Sequence, residues 1–474
     1  MSVAESITLS NVELSRVFFA IVLLLLSAHF FGYLFHRLTF PRVVGEIFGG
    51  SLLGPTVLGY FFPQAHHWIF NAFEAEGKLI SIIYWFGLVL LMFISGFELQ
   101  KSFDKKDKKI IIVTLLGSTI IPFLAGWFAP SFYDFSPYLG PNSNMLSLKI
   151  IIGIALAITS VPVISKIFID LGIINTSFAK IVLATATLHD VILWVALAIA
   201  TGLVSTNVLS FSKIILTVLI TIIFFVFTLF VMPKLISFSN GLRYNLLIKS
   251  SRSGYIIFIC FLFSAVASVL EVNIIFGAFL AGIVVGTMPQ DQFGKAKEHI
   301  KDISLAFFVP IYFAVIGLKL DLIYHFDLLF FLGFLLFATT CQALGTLIAL
   351  KLAKEDWLSS FNLAVAMNAR GGPGIVLATI AFDLGIINQT LFVTLVLIAL
   401  VTCLMAGRWF KYVLSKGWPL LSSERHELPA LTTQDRKIPS WPGLPGERIQ
   451  HRIKRLLRSR PSMARTVNDE DAKY

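Results

Sequence analysis

The chain has 474 residues, of which 57% are apolar and only 14% are charged. This apolar content is enough for about thirteen segments of ~20 residues, the length that crosses a hydrocarbon core ~30 Å thick. Such a composition excludes a soluble enzyme, a secreted disulfide scaffold and a disordered protein. Long uninterrupted apolar runs also exclude a β-barrel, whose strands alternate in polarity. The predicted fold class is an all-α polytopic membrane protein with about 13 transmembrane helices.

Basic residues indicate how these spans are oriented. Lys and Arg concentrate in alternate connections, most densely at 101–109. Because basic loops stay in the cytoplasm, we predict that these connections and the C-terminus are cytoplasmic. With an odd number of spans, the N-terminus is then outside. The predicted spans are 14–37, 41–59, 80–99, 110–130, 149–170, 177–201, 212–236, 254–270, 274–288, 303–320, 327–350, 358–381 and 388–410.

Glycine spacing indicates an internal repeat. The second and ninth spans carry three glycines with the same spacing, five residues and then four, and the third and tenth spans end in similar segments at Gly96 and Gly317. An offset of seven spans inverts the second copy, and inverted repeats build secondary transporters. The alternative is that small residues simply let helices pack closely. The matched glycines are Gly45, Gly50 and Gly54, and Gly277, Gly282 and Gly286.

Each half also contains a segment that interrupts a span near its middle. Residues 157–162 end in Pro162, which lacks the backbone donor of a continuous helix. Residues 368–374 read Asn-Ala-Arg-Gly-Gly-Pro-Gly and are the stronger helix breaker. Unwound segments at matching places expose carbonyls and helix ends to an ion in the middle of the membrane. For Pro162 alone, a simple kink is the alternative.

The sixth span carries His189 and Asp190 among apolar and small residues. An ionised carboxylate at that depth costs ~3 kcal/mol on insertion scales, so by default it marks an ion or proton path. A structural hydrogen-bonding role is the alternative. Burial favours the protonated carboxyl group and a bound cation opposes protonation, so proton and cation compete for Asp190. His189 is a second titrating group, a repeller of cations when charged, or a packed imidazole.

Four stretches together match the pattern of a known family: 41–59, 91–99, Thr159-Ser160 with His189-Asp190, and 308–321 with 368–371. They resemble the monovalent cation:proton antiporter superfamily, in the branch of Kef-type potassium/proton antiporters, NapA-like sodium/proton antiporters and plant cation/proton exchangers. The resemblance covers about residues 14–410. It implies a NapA/NhaA-like fold with two crossed discontinuous helices. It also implies a homodimer, in which a core domain moves against a dimer-forming domain.

The resemblance implies a site for a monovalent cation (Na+ or K+) and for protons, and no cofactor. His189 departs from sodium/proton relatives, which have two adjacent acids there, and Gln342 stands where they have a membrane lysine. A neutral His with Gln could preserve a hydrogen bond without an ion pair. The implied binding residues are Asp190, His189, Thr159 and Ser160, and the supporting residues are Gln342, Asn368, Arg370, Pro162 and Gly371.

Charge balance at this site leads to two further expectations. Arg370 supplies the positive charge that balances the half-helix ends. One acid per protomer predicts one cation or one proton per half-cycle, and hence electroneutral exchange, unless His189 also releases a proton. Potassium-type relatives often carry a Glu just after the second breaker, where this chain has Pro373 and Gly374, so the resemblance leaves the choice between Na+ and K+ open.

Charged and polar residues near the span ends have simpler expected roles. Glu46, Glu98 and Lys319 are predicted to reach the headgroups, as long charged side chains do, and a role in guiding ions to the site is the alternative. Asn273 and Asp383 are predicted to cap helices or to face extracellular water.

The sequence divides into a transmembrane domain at 1–410 and a basic cytoplasmic tail at 411–474. Fourteen Lys and Arg against seven Asp and Glu in residues 408–474 account for +7 of the net charge of +11, so this charge indicates no nucleic-acid partner. Within a partly disordered tail, residues 447–460 form a basic amphipathic segment suited to anionic lipid. A solvated charged tail is the alternative.

The predicted function is therefore secondary active exchange of a monovalent cation for protons by alternating access, in a multi-pass protein of the bacterial inner membrane. Two alternatives use the same fold: a cation channel, and a membrane sensor or scaffold. An enzyme is not expected, because no convergent catalytic or metal-ligand set is present in the sequence.

Overall fold

The computed structural model describes residues 9–38, 40–73, 75–98, 107–142, 145–174, 176–202, 211–241 and 245–421. Within these ranges the structure is almost entirely helical, apart from an isolated bridge between Leu139 and Ile387. The helices are α1 (Asn11–Arg37), α2 (Arg42–Leu53), α3 (Leu58–Phe61), α4 (Pro63–Phe70), α5 (Glu76–Glu98), α6 (Lys108–Phe128), α7 (Met145–Ala157), α8 (Val161–Asp170), α9 (Ser177–Gly202), α10 (Phe211–Phe230), α11 (Met232–Gly241), α12 (Leu246–Ser250), α13 (Arg252–Val269), α14 (Ile274–Gly286), α15 (Gln290–Ile303), α16 (Val309–Lys319), α17 (Leu328–Leu352), α18 (Trp357–Met367), α19 (Gly371–Asp383) and α20 (Gln389–Ser415).

Eight helices of the described part are long and apolar enough to cross a membrane, so the chain is a multi-pass membrane protein. One of them, Gln290–Lys319, is continuous from α15 to α16 through a π-helical turn at Ser304–Phe308. Two helix pairs bent by 41°, one joining α10 to α11 and one joining α18 to α19, add two spans if each pair crosses as a unit. Length and composition therefore give eight to ten spans.

The other three of the thirteen predicted spans fall on shorter helices. The prediction at 41–59 meets α2, which ends at Leu53 before Gly54 and Pro55. The prediction at 149–170 is divided between α7 and α8, and 274–288 corresponds to α14. The first two of these predictions came from apolar runs that continue through helix ends, because hydropathy alone does not show where a helix stops.

The glycines of the predicted inverted repeat lie at helix contacts. At each one a neighbouring helix passes so close that a Cβ atom would meet its backbone. Helix α2 lies between α1 and α16, and α14 lies between α13 and α5, so the two arrangements match at the predicted offset of seven spans. The contacts are Gly45 with Phe31 and Gly50 with Ala314 on α2, and Gly277 with Phe263 and Gly282 with Phe93 on α14.

The helices pack in two groups. Group A consists of α1, α2, α5 and α13–α16, in which α5 packs on α14, α1 on α2, and α2 on α16. Group B consists of α6–α9 and α17–α20, in which α6 packs on α17 and α7, and α19 packs on α20. Helix α10 contacts both α9 of group B and α14 of group A. The interrupted helices both belong to group B.

The structure can be compared with the roles predicted for polar residues near the span ends. Glu46 was predicted to reach the headgroups, but it is only 8% exposed, because α2 packs tightly on α1 and places this side chain against Gly32. Asn273 caps α14 as predicted, since its side chain accepts a hydrogen bond from the amide of Ile275 at 2.9 Å. The Glu98 side chain and the predicted amphipathic segment 447–460 lie outside the described residues.

Candidate functional site

Two helices of group B are interrupted by three residues each, and the interruptions lie against each other. Helix α7 ends at Ala157 and α8 begins at Val161, while α18 ends at Met367 and α19 begins at Gly371. The amide of Ser160 donates to the carbonyl of Ala369 at 2.7 Å, and the Thr159 hydroxyl donates to the carbonyl of Met367 at 2.6 Å. The sequence prediction of paired helix breaks is confirmed.

The end of α7 leaves backbone carbonyls without helical partners, as every helix C-terminus does. Side chains from two other helices satisfy them. The Arg370 guanidinium donates to Ala155 O at 3.1 Å and to Leu156 O at 3.3 Å, and Gln342 Nε2 donates to Ala157 O at 3.0 Å. The last three carbonyls of α7 are therefore held by one arginine and one glutamine, which also counter the negative pole of the helix.

Arg370 is 2% exposed and donates to further acceptors around the second interruption. Its Nη1 lies 3.3 Å from both the backbone oxygen and the side-chain oxygen of Asn368, and its Nη2 lies 2.9 Å from Ala338 O on α17. The charge of Arg370 thus faces carbonyl dipoles of three helical segments. The sequence pointed to a charge-balancing arginine here, but it carried no signal for the contact with Ala338.

Gln342 lies on α17 and is fully buried between the two interruptions. Besides Ala157 O, its Nε2 donates to Met367 O at 2.7 Å, which is the last carbonyl of α18. A longer contact of 3.3 Å joins Nε2 to the Thr159 hydroxyl. One neutral amide therefore bridges the C-terminal ends of both broken helices, while its own oxygen has no hydrogen-bond partner among the described residues.

His189 joins this network through Thr159, with its Nδ1 at 3.2 Å from the threonine hydroxyl. The hydrogen bond expected between His189 and Gln342 is thus relayed by Thr159. Because the single hydroxyl proton of Thr159 is donated to Met367 O, its oxygen can only accept from His189. This assigns the proton of a neutral His189 to Nδ1. It leaves Nε2 as an acceptor, and Nε2 is buried without a partner in the described part of the chain.

Asp190 follows His189 on α9 and is 1% exposed. Neither of its carboxyl oxygens has a hydrogen-bond partner within the ranges that the structure describes. An ionised carboxylate is strongly disfavoured in such a place unless a cation or a proton neutralises it. Asp190, His189 Nε2 and Gln342 Oε1 share the same chemistry, since each is a buried acceptor that lacks a donor.

The remaining predicted residues shape the interruptions. Ser160 caps α8, because its hydroxyl accepts from the amide of Val163 at 3.4 Å. Pro162 lies in the first turn of α8, where its missing amide donor is tolerated. Gly371 has φ +42°, and a Cβ there would lie 2.7 Å from Ser160 Oγ. Only glycine fits this backbone conformation and this close approach.

Comparison with known proteins identifies the family. Residues 24–416 match the model of the family described as sodium/hydrogen exchanger, transmembrane. The K(+)/H(+) antiporter 1 of Saccharomyces cerevisiae is 29% identical over 412 residues, which cover 83% of this chain and 46% of that protein. The chain thus spans about half the length of the yeast relative. The Na(+)/H(+)-K(+) antiporter GerN of Bacillus cereus is 26% identical over 404 residues, which cover 83% of this chain and 95% of GerN.

The fold has a counterpart among solved structures. The sodium proton antiporter MjNhaP1 from Methanocaldococcus jannaschii superimposes with a TM-score of 0.56 at 15% sequence identity, over 85% of this chain and 99% of that one. The resemblance stated from the sequence motifs is therefore confirmed, for the family and for the fold. The chain belongs to the sodium/hydrogen exchanger transmembrane family, whose members are transporters rather than enzymes.

Proposed function

We propose that the protein exchanges a monovalent cation for protons across the membrane, and that Asp190 binds the two in competition. The observation that carries the proposal is the burial of the Asp190 carboxyl group with no partner among the described residues. Such a group gains stability from a proton or from a cation, and the two exclude each other. The names of the yeast and Bacillus relatives, K(+)/H(+) antiporter 1 and Na(+)/H(+)-K(+) antiporter GerN, support exchange of a monovalent cation for protons.

A buried carboxylate suits a small cation without fixing which one. Two further buried acceptors with unused lone pairs, His189 Nε2 on the same helix and Gln342 Oε1 on α17, lie in group B. The Arg370 charge is occupied by carbonyls of the helix ends, so it stabilises the interruptions rather than pairing with Asp190. We propose Na+ or K+ as the transported ion, carried by alternating exposure of the site as group B moves against group A.

The assembly and orientation follow from weaker signals. Exposed apolar residues on α1, such as Phe18, Val22 and Leu26, form a surface for lipid or for a second copy. We propose a homodimer in the bacterial inner membrane, with the N-terminus outside and the basic tail 411–474 in the cytoplasm near anionic lipid. Crosslinking in native membranes tests the dimer, and protease access from each side tests the orientation.

The deciding experiment uses purified protein in liposomes with a pH dye inside. A proton gradient is imposed and Na+, K+ or Li+ is added outside. We expect the cation to dissipate the gradient with the wild-type protein, and no such effect with Asp190→Asn. The matched control is Asp291→Asn on α15, which removes an exposed carboxylate and should leave exchange unchanged.

Competition gives a second, quantitative test. Where the proton dominates binding, each unit decrease in pH should raise the cation concentration for half-maximal exchange about tenfold. Cation flux without proton movement would instead identify a channel. No response from the wild-type protein, beside a working reference antiporter, would overturn the proposal and favour a sensor or scaffold.

A further inference from the structure

A cluster of polar side chains joins four helices, α5, α16, α19 and α20, at residues that are distant in the sequence. Lys319 Nζ lies 2.6 Å from Asp383 Oδ1, and the Tyr84 hydroxyl donates to Asp383 Oδ2 at 2.5 Å. The ammonium group also lies 4.1 Å from the centre of the Tyr84 ring. Gln389 Nε2 donates to the carbonyl of Lys319. We call these four residues the Lys319 cluster.

The Lys319 cluster connects the two helix groups. Tyr84 on α5 and Lys319 on α16 belong to group A, while Asp383 on α19 and Gln389 at the start of α20 belong to group B. The sequence predicted a lysine that reaches the headgroups and an aspartate that caps a helix or faces extracellular water. Both expectations are corrected, because Lys319 of group A and Asp383 of group B form an ion pair with each other.

Partial burial makes these contacts stronger than a surface ion pair. The side chains of Lys319 and Asp383 are 29% and 13% exposed. Both carboxylate oxygens of Asp383 are used, one by an ammonium and one by a phenol, and charge-assisted hydrogen bonds of this kind are the strong ones. The face of Tyr84 adds a cation–π contact to the same ammonium.

The position of Asp383 links the cluster to the site. Helix α19 begins at Gly371, beside the break between α7 and α8, and ends at Asp383. At 1.5 Å per residue this rigid half-helix is about 20 Å long, so the cluster holds its far end against group A. One turn before Asp383 lies Thr379, and the Tyr312 ring lies 5.3 Å from that of Tyr84. Both of these residues are fully buried at the junction of the two groups.

We propose that Tyr84, Lys319 and Asp383 form a latch that closes this end of the junction and must open before the Asp190 site can face the same side. The inference rests on the proposed alternating exposure. In the proposed orientation this end is the outer one. Tyr84 lies in the N-terminal half of α5, and the basic residues 101–109, which are predicted to be cytoplasmic, follow the C-terminal end of that helix. Sliding of group B by a few ångströms separates the ion pair and gives water access to Thr379 and Tyr312.

The test measures access rather than transport. Thr379→Cys is introduced into the wild-type chain, and a maleimide that does not cross membranes is added outside intact cells. We expect slow labelling with the latch intact and about tenfold faster labelling in Asp383→Asn and Lys319→Met, a change that corresponds to about 1.4 kcal/mol. Tyr84→Phe, which loses one hydroxyl, should give a smaller increase. The parent chain without Thr379→Cys corrects for its native cysteines.

Matched variants separate a latch from general damage. Asp321→Asn removes the carboxylate that lies 3.0 Å from His325 Nδ1, a contact confined to the connection between α16 and α17, and it should leave labelling unchanged. The double swap Lys319→Asp with Asp383→Lys should restore slow labelling. Equal labelling rates in all these proteins would overturn the latch, and so would a swap that labels as fast as the single variants.

The latch and the proposed function can fail separately. Adding Asp190→Asn to each labelling protein should abolish exchange and leave the labelling contrast in place. A contrast in labelling with no cation-driven proton flux in the wild-type protein would retain the latch and reject antiport. Flux without a contrast would do the reverse.

Discussion

Arg370→Met removes five donor contacts from the centre of group B and leaves a side chain of similar length. Two carbonyls at the end of α7, Ala155 and Leu156, then have no donor, and neither does the carbonyl of Asn368. Ala338 lies inside α17, so its carbonyl keeps its helical bond. Three buried backbone carbonyls are therefore left unpaired in the variant, and the side-chain oxygen of Asn368 also loses its donor.

The expected loss of stability follows from that count. Each unpaired buried backbone carbonyl costs about 1–3 kcal/mol, so three cost about 3–9 kcal/mol. Removal of the charge recovers part of this, because a buried guanidinium carries its own desolvation cost. We expect a net loss of about 3–5 kcal/mol and a decrease of the apparent melting temperature on the order of 10 °C.

The assay is thermal unfolding of the purified protein in detergent. Unfolding is measured as the loss of the monodisperse peak in size-exclusion chromatography. Arg252→Met is the matched control, since Arg252 also donates to a backbone carbonyl, that of Gln292 at 3.1 Å, but is exposed. We expect a shift of less than about 2 °C for the control. Equal decreases in melting temperature for Arg370→Met and Arg252→Met would refute the idea that Arg370 stabilises the protein by donating hydrogen bonds to buried carbonyls. Arg370→Lys, which keeps the charge but fewer donors, should lie between wild type and Arg370→Met.

Three further outcomes are expected. Gly50→Ala should destabilise the protein by about 3 kcal/mol or more, because the added Cβ would overlap the Ala314 carbonyl. Gly333→Ala, in open space on α17, should be neutral or stabilising by up to ~1 kcal/mol, and similar melting temperatures for the two variants would contradict this. Gln342→Leu should lower stability by about 2 kcal/mol, because the terminal carbonyls of α7 and α18 lose a shared donor, and an unchanged melting temperature would show that water replaces the amide. Exchange in liposomes should be insensitive to an imposed potential if one carboxylate carries either one cation or one proton, and a strong voltage dependence that disappears in His189→Asn would identify His189 as a second carrier.

The helix interruptions could be predicted because their cause is local. Proline and a glycine-rich run disfavour a continuous helix, so residues 157–162 and 368–374 indicated the breaks, although α6 continues through Pro122. The carboxyl group of Asp190 was equally visible, since a lone acidic residue in a long apolar run is costly to bury unless it binds a proton or an ion. The paired glycines were visible as a spacing, and their structural role follows from close helix approach.

Partners that are distant in the chain could not be predicted in the same way. Lys319 and Asp383 are 64 residues apart, and nothing in either neighbourhood specifies the other. The start of the Gln290–Lys319 helix was missed because its first half is polar and amphipathic, so an apolar window begins only near residue 303. Arg370 was identified as a charge for the helix ends, but its carbonyl partners depend on how α7 and α17 pack.

The packing of α2 between α1 and α16 has a consequence for synthesis of the chain. The Thr56 hydroxyl just after α2 donates to the carbonyl of Leu320, which is translated 264 residues later. At about 5–20 residues per second, the ribosome needs on the order of 10–50 s to supply that partner. During this time the glycine face of α2 has no α16 to cover it, and α5 likewise awaits α14. The two halves of group A therefore complete each other only after α16 has entered the membrane, and the first half is not an independent folding unit.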